Sequence, residues 1–233
     1  YNRVPSAISK IPADTVIVSY GMNDGIYQPF SASLLRAHQS GMERLLRLLE
    51  ENGKQVIVLT TPYFDSRTAA ARGTIFNPDG VSAPYSFMSP YRFYENTLSV
   101  FAAWDLSLEE KFPHVKVVNI HTALKSYYRE KRIANPGFVE GDGIHPALGG
   151  HAVIAGAILQ RVWSESLPQI LEETYETSPA ARLTAEKNGL LSCAYRAFCG
   201  FHADYIQEKA LPLEEAKAKA AELEKELSLL SVS

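Results

Sequence analysis

The sequence predicts an α/β fold on a parallel sheet, followed by an all-helical C-terminal part. Three observations carry that prediction. Short β-branched apolar runs alternate with segments of helical periodicity. The first of these runs ends in turn formers and the second in proline, and beyond Pro168 no strand-like run recurs.

Asp14-Thr-Val-Ile-Val-Ser-Tyr20 has the composition of a strand buried on both faces, and it ends in the turn-rich loop Gly21-Met-Asn-Asp-Gly25. From Ser31 to Asn52, Leu35, Met42, Leu45 and Leu49 fall at helical spacing, and Gly53 stands where a C-cap glycine belongs. Gln55-Val-Ile-Val-Leu-Thr-Thr-Pro62 is a second buried strand. The stretch from Tyr63 to Pro90 reads as a long irregular insertion rather than a plain connector. Tyr91 to Lys111 reads as one helix with Tyr94, Leu98, Phe101 and Leu108 on one side. Val115-Lys-Val-Val-Asn-Ile120 is a third strand, and Ala123 to Arg132 a short helix. Ala147 to Trp163 is apolar almost all round and predicts a buried helix, with Pro146 suited to its first turn. Three strands are few for a doubly wound sheet, so further strands are expected before Tyr1.

The expected division is an α/β domain over 1–166 and a helical extension over 167–233. Helical patterns in the extension cover 169–177, 180–198 and 213–230. In the last, Leu213, Ala216, Ala220, Leu223, Leu227 and Leu230 step 3, 4, 3, 4, 3. That seam is too short for a coiled coil and suits a helix packed on its own domain or self-association with a second copy. With 23 basic and 26 acidic side chains and a net charge of −3, the chain has no electrostatic footprint for nucleic acid. No apolar run approaches the ~18 residues of a membrane span. Two cysteines exclude a disulfide-stapled scaffold and a four-thiolate zinc site.

Ligands of open parallel sheets bind beyond the carboxyl ends of the strands, so Gly21–Gly25, the loop from Thr60 onward and the stretch after His121 are the places to look for chemistry. The first holds Asn23, whose neutral amide can stabilise an oxygen that becomes negative during acyl transfer, although Asn-Asp-Gly also suits any tight turn. The second constellation is Asp142-Gly-Ile-His145-Pro146. A carboxylate three residues before a histidine can fix its tautomer and leave the other nitrogen as a base, although a turn Asp beside a helix-capping His has the same spacing. Gly149 and Gly150 in the following helical turn cost stability unless something packs close to them.

Together, strand–Gly-x-Asn-Asp and a distant Asp-x-x-His-Pro resemble the SGNH hydrolases, the GDSL-type esterase and lipase superfamily, over Ile11 to about Val162. Asp14 to Asp24 looks like that family's third conserved block and Asp142 to His151 like its last. The resemblance implies a flavodoxin-like three-layer α/β/α sandwich and a serine ester hydrolase that needs no cofactor or metal. It implies that Asn23 donates to the oxyanion, His145 is the base and Asp142 orients it. Gly21 and Asp24 are then expected to bind substrate, a small ester or O-acylated carbohydrate. The tail from Leu211 is similar to the helical tails of some bacterial members.

The family's Gly-Asp-Ser block and its oxyanion glycine block have no counterpart here. Only 22 residues precede Asn23, and the nearest approach to a serine elbow is Gly80-Val-Ser-Ala-Pro84. The expectation is an N-terminally truncated enzyme whose serine, and any targeting segment, lie upstream of a chain that is unstable or aggregation-prone alone. The alternative is a catalytically inactive binding module for a glycan or protein partner. His38 is expected to be a satisfied buried imidazole and His121 a strand-end hydrogen-bonding group. A metal site from Asp142, His145 and His151 lacks ligand spacing. Cys193 and Cys199 are expected to be buried free thiols, since six helical residues separate their Cα atoms by about 9 Å. Tyr63, Phe64, Phe76, Tyr85 and Phe87 are open to two readings, substrate contact or anchoring of the insertion.

Overall fold

The computed structural model describes residues 3–77, 84–166, 178–201 and 209–230. The expected helix over 169–177 and His202 lie outside them. The chain divides into two compact units, residues 14–168 and residues 1–13 with 169–233.

The first unit is mixed α/β with a three-stranded parallel sheet. Its strands are β1 (Thr15–Ser19), β2 (Gln55–Leu59) and β3 (Val115–Val118), in the order β1-β2-β3. Thr15 pairs with Gln55 and Ser19 with Leu59, while Val56 pairs with Val115 and Leu59 with Val118. β2 is flanked on both sides and its four apolar residues are buried. β1 departs from the sequence expectation. It pairs with β2 alone among the described strands, so Val18 is buried but Ile17 is 53% exposed.

Helix α2 (Ala32–Glu51) buries His38, Met42, Leu46 and Leu49. Leu46 takes the central place that the periodicity assigned to Leu45, because spacings of 4, 4 and 3 track the helix turn more closely. Gly53 ends the helix at φ +65°, with its N–H donating to Glu50 O. The insertion is not wholly irregular, since it contains α3 (Ser66–Ala71). The single helix expected over 91–111 is two, α4 (Tyr94–Asp105) and α5 (Leu108–Lys111). Ser107 marks the break by turning its hydroxyl back to Trp104 O at 2.7 Å, a local bond that competes with helix. Residues Ile120–Ala134 form α6, with Asn119 as N-cap accepting the Thr122 N–H at 3.0 Å, so Ile120 opens a helix rather than closing a strand.

Helix α7 (Leu148–Trp163) is not buried all round. Ile154, Ala157, Ile158 and Val162 pack on Ile57, Leu59, Val118 and Ile120, and the rest of its apolar surface is half-buried or exposed. A helix lying on one face of a sheet covers only one of its own sides. Pro146 lies before the N-cap, Ala147, instead of in the first turn.

In the second unit, α8 (Pro179–Phe198) packs against α9 (Leu213–Leu230). Ala194, Ala216 and Ala220 are buried, small residues that let helix axes approach, and Lys187 pairs with Glu224. The seam of α9 thus packs within its own unit. Helix α1 (Arg3–Lys10), which the sequence reading lacked, bonds to the end of α8 through Ser6 Oγ to Cys199 O at 3.3 Å and Lys10 Nζ to Phe198 O at 2.9 Å. Cys193 and Cys199 are free thiols, half-buried rather than buried. Among the described residues no helix is long and apolar enough to cross a membrane.

Two glycines test the packing in opposite directions. At Gly21, φ is +117° and an added Cβ would lie 2.0 Å from Thr61 Oγ1. Gly21→Ala is expected to destabilise by at least 1–3 kcal/mol, roughly the backbone strain alone. Gly41, in the middle of α2, has nothing within 4 Å of such a Cβ, and Gly41→Ala is expected to stabilise by about 0.5–1 kcal/mol. Urea midpoints shifted in the same direction for both would contradict this packing.

Candidate active site

Parallel strands bring the loops after β1, β2 and β3 to one edge of the sheet. The loop after β1 is fastened there by a buried polar chain. Thr61, fully buried just past β2, donates its backbone N–H and its hydroxyl to Asp105 Oδ2 at 2.7 and 2.8 Å. Asp105 Oδ1 is 2.9 Å from His38 Nε2, and His38 Nδ1 is 3.4 Å from Asp24 Oδ2. Burial disfavours a charged His38, but hydrogen bonds to Asp105 and Asp24 and their negative charge overcome it, pushing its pKa up to about 9. The bond from His38 likewise lowers the Asp24 pKa against the effect of burial. His38 is thus a satisfied buried imidazole. Gly21 and Asp24, the expected substrate-binding residues, have structural partners in this loop: Gly21 is buried on Thr61, and Asp24 turns to His38.

Asn23 is exposed on the same loop. Its Oδ1 accepts the Tyr27 hydroxyl at 2.6 Å, and its Nδ2 makes no hydrogen bond among the described residues. The amide therefore presents two unused donors.

In the loop before α7, His145 Nδ1 lies 2.8 Å from Asp142 Oδ2. Asp142 Oδ1 also accepts the backbone N–H groups of Ile144 at 2.8 Å and His145 at 2.6 Å. Partial burial works to raise the Asp142 pKa, but these bonds outweigh it and hold the carboxyl below its usual range. A carboxylate accepting from Nδ1 leaves the lone pair on Nε2, and the ring is 81% exposed. Such an arrangement can act as a base with a fixed tautomer.

The Asp142 loop is clamped from beneath. Gly143, at φ +94°, offers its carbonyl to Asp65 N–H at 2.9 Å, and a Cβ there would fall 2.7 Å from Asp65 O. Asp65 is held by both terminal guanidinium nitrogens of Arg132 and by the Thr68 hydroxyl. Arg72 Nε donates to Gly141 O at 3.1 Å. Glu140 accepts the Tyr127 hydroxyl at 2.6 Å and the Gly150 N–H at 2.8 Å. A Cβ on Gly149 would lie 2.0 Å from Tyr127 Oη, which is the crowding the paired glycines imply.

One aromatic cluster joins the two halves. Tyr27, Phe64, Ala69, Tyr94 and Leu98 are buried together, and Met22, beside Asn23, packs on them along with Ile144, beside His145. Burial, and after it the Asp142 charge, raises the Tyr27 pKa, so the phenol bonded to Asn23 lies within electrostatic reach of the dyad carboxylate. The structure thus gathers Asn23, Asp142 and His145 at one end of the sheet.

The remaining candidates serve the fold. His121 Nδ1 meets Thr61 O at 3.1 Å, the expected strand-end bond, and its Nε2 lies 3.0 Å from Glu95 Oε1 and 3.2 Å from Ser99 Oγ. That is the one serine–imidazole hydrogen bond among the described residues, and the Ser99 hydroxyl also donates to Glu95 at 3.1 Å. His151 is exposed on α7, and no three His, Cys, Asp or Glu side chains group for a metal among the described residues. In the insertion Phe64 is core, Tyr63 packs on Tyr128 and His121, Phe76 lies under Arg92, and Phe87 is exposed. Sequence reasoning missed Tyr27, Asp65, Asp105, Arg132 and Glu140, whose partners are mostly distant in the chain and leave no local spacing signal. Comparison with family models, curated proteins and solved structures returns no match.

The charged His38 makes stability depend on pH in a stated direction. A folded-state pKa near 9 against 6.5 unfolded gives a contribution present in full below pH 6.5 and lost as pH rises through 9. Its size is about 3 kcal/mol. Urea unfolding at pH 6 and pH 9.5 is expected to show that loss, and His38→Gln is expected to flatten it. A profile as steep in His38→Gln as in the parent would contradict the pairing.

Proposed function

We propose that this chain carries the base and the oxyanion donor of a serine ester hydrolase of the SGNH, GDSL-type kind. In this reading the fold is the flavodoxin-like three-layer sandwich of that family, and the nucleophilic serine enters from a segment upstream of Tyr1. The observation that carries the reading is the packing of Met22, beside Asn23, and of Ile144, beside His145, on one aromatic cluster, with Asn23 Nδ2 unused among the described residues and His145 Nε2 open. The edge of β1 left unpaired among the described residues and the exposed Ile17 support a further strand beside it.

The chemistry follows from these groups. His145 Nε2 takes the serine proton as Oγ attacks the ester carbonyl, and Asp142 stabilises the resulting imidazolium. The carbonyl oxygen becomes negative and is held by the Asn23 Nδ2–H groups. The imidazolium then protonates the departing alcohol. Water, activated by the same nitrogen, releases the acid and restores the serine. The substrate class is a small ester or an O-acylated carbohydrate.

Hydrolysis of 4-nitrophenyl acetate by the full-length protein tests this. Asn23→Ala is expected to lower kcat by ~10²–10³, and His145→Ala to remove nearly all activity. Full activity in His145→Ala would overturn the assignment. A full-length protein with no upstream serine and no activity would favour the inactive binding module.

A further inference from the structure

We propose that Tyr27 is the positioning residue for Asn23, turning its carboxamide so that Nδ2 rather than Oδ1 faces the reacting oxygen. The inference rests on the ester-hydrolase reading for what the amide does, and on geometry alone for how the amide is held.

An exposed asparagine rotates broadly about its terminal torsion, and its two ends differ in the sign of the charge they present. With Oδ1 outward, a lone pair would face a developing oxyanion and repel it. The Tyr27 hydroxyl, a better donor than acceptor, favours one end by donating to Oδ1 at 2.6 Å. The same bond polarises the amide and makes its N–H groups stronger donors.

Tyr27 is itself held rigidly. It is buried, and its ring centroid lies 5.0 Å from that of Tyr94. Its carbonyl accepts the Tyr91 N–H at 2.8 Å. Tyr94 Oη donates to Met22 O at 2.6 Å, so two tyrosines pin the chain on either side of Asn23.

The backbone carries strain at this point. Ile26 and Tyr27 are consecutive residues at φ +52° and +56°, and for a β-branched isoleucine that conformation is a genuine outlier. Strain of this kind persists where the surroundings over-determine it. Here it aims a phenol at one amide oxygen. Burial and the charge of Asp142 keep that phenol protonated, so it remains a donor.

Tyr27→Phe removes the hydroxyl and keeps the ring. In the full-length protein with 4-nitrophenyl acetate, kcat is expected to fall about tenfold, the worth of one such bond, with KM changed less than twofold. In an Asn23→Ala background the same substitution is expected to change nothing further. An undiminished kcat in an active protein, or an equal loss in the Asn23→Ala background, overturns the proposal. The ¹⁵N–¹H resonances of the Asn23 carboxamide give a readout independent of turnover. Tyr27→Phe is expected to move them to the values of a free asparagine, and unchanged resonances overturn the proposal. If those resonances move but neither variant nor parent hydrolyses esters, Tyr27 is upheld as the holder of the amide and the hydrolase reading fails.

Discussion

A positive imidazole buried between two carboxylates holds the loop after β1 in place. His38 comes from α2, Asp105 from the end of α4 and Asp24 from the loop itself, and Asp105 is tied to Thr61 just past β2. The His38–Asp105 pair is buried on both sides, and removing one partner there leaves the other unpaired in a medium that solvates it poorly. Three elements distant in sequence are therefore committed to one arrangement, and Asn23 takes its position from the residue beside it. Gly21 completes the fit, because only a residue without Cβ can lie so close to Thr61.

The second half of the site is built on the same logic with different parts. Arg132 and Thr68 fix Asp65, Asp65 holds Gly143 through a backbone bond, and Gly143 lies within the Asp142–His145 turn. Glu140 joins that turn to the start of α7. Both halves then lean on the Tyr27–Phe64–Tyr94 cluster. The exposed groups Asn23 and His145 are thus presented by a supporting shell that is largely buried, as preorganised chemistry requires.

Much of this was legible in the sequence because local patterns carry it. β-Branched runs ending at turn residues mark β1, β2 and β3, and the α9 helix begins and ends where its 3–4 spacing does. Asp142 and His145 sit three residues apart in one turn, so their pairing is encoded locally. The exposure of Ile17 was not legible, because composition alone cannot tell a central strand from an edge strand. The half-covered α7 was misread for a similar reason: apolar residues on all sides do not say how many neighbours arrive. The break at Ser107 depends on one side-chain bond that periodicity does not register. Asp65, Arg132 and Asp105 were invisible because their roles arise only when separate segments meet, and Tyr27 because a bond to Asn23 four residues back leaves no periodic pattern.

The most direct test of the central claim, that Asp142 and His145 activate a serine, is fluorophosphonate labelling of the full-length protein followed by intact-mass analysis. The account predicts one adduct, on a serine, formed quickly in the parent and nearly abolished in His145→Ala. Absence of any adduct in the parent, or labelling just as fast without His145, would contradict it.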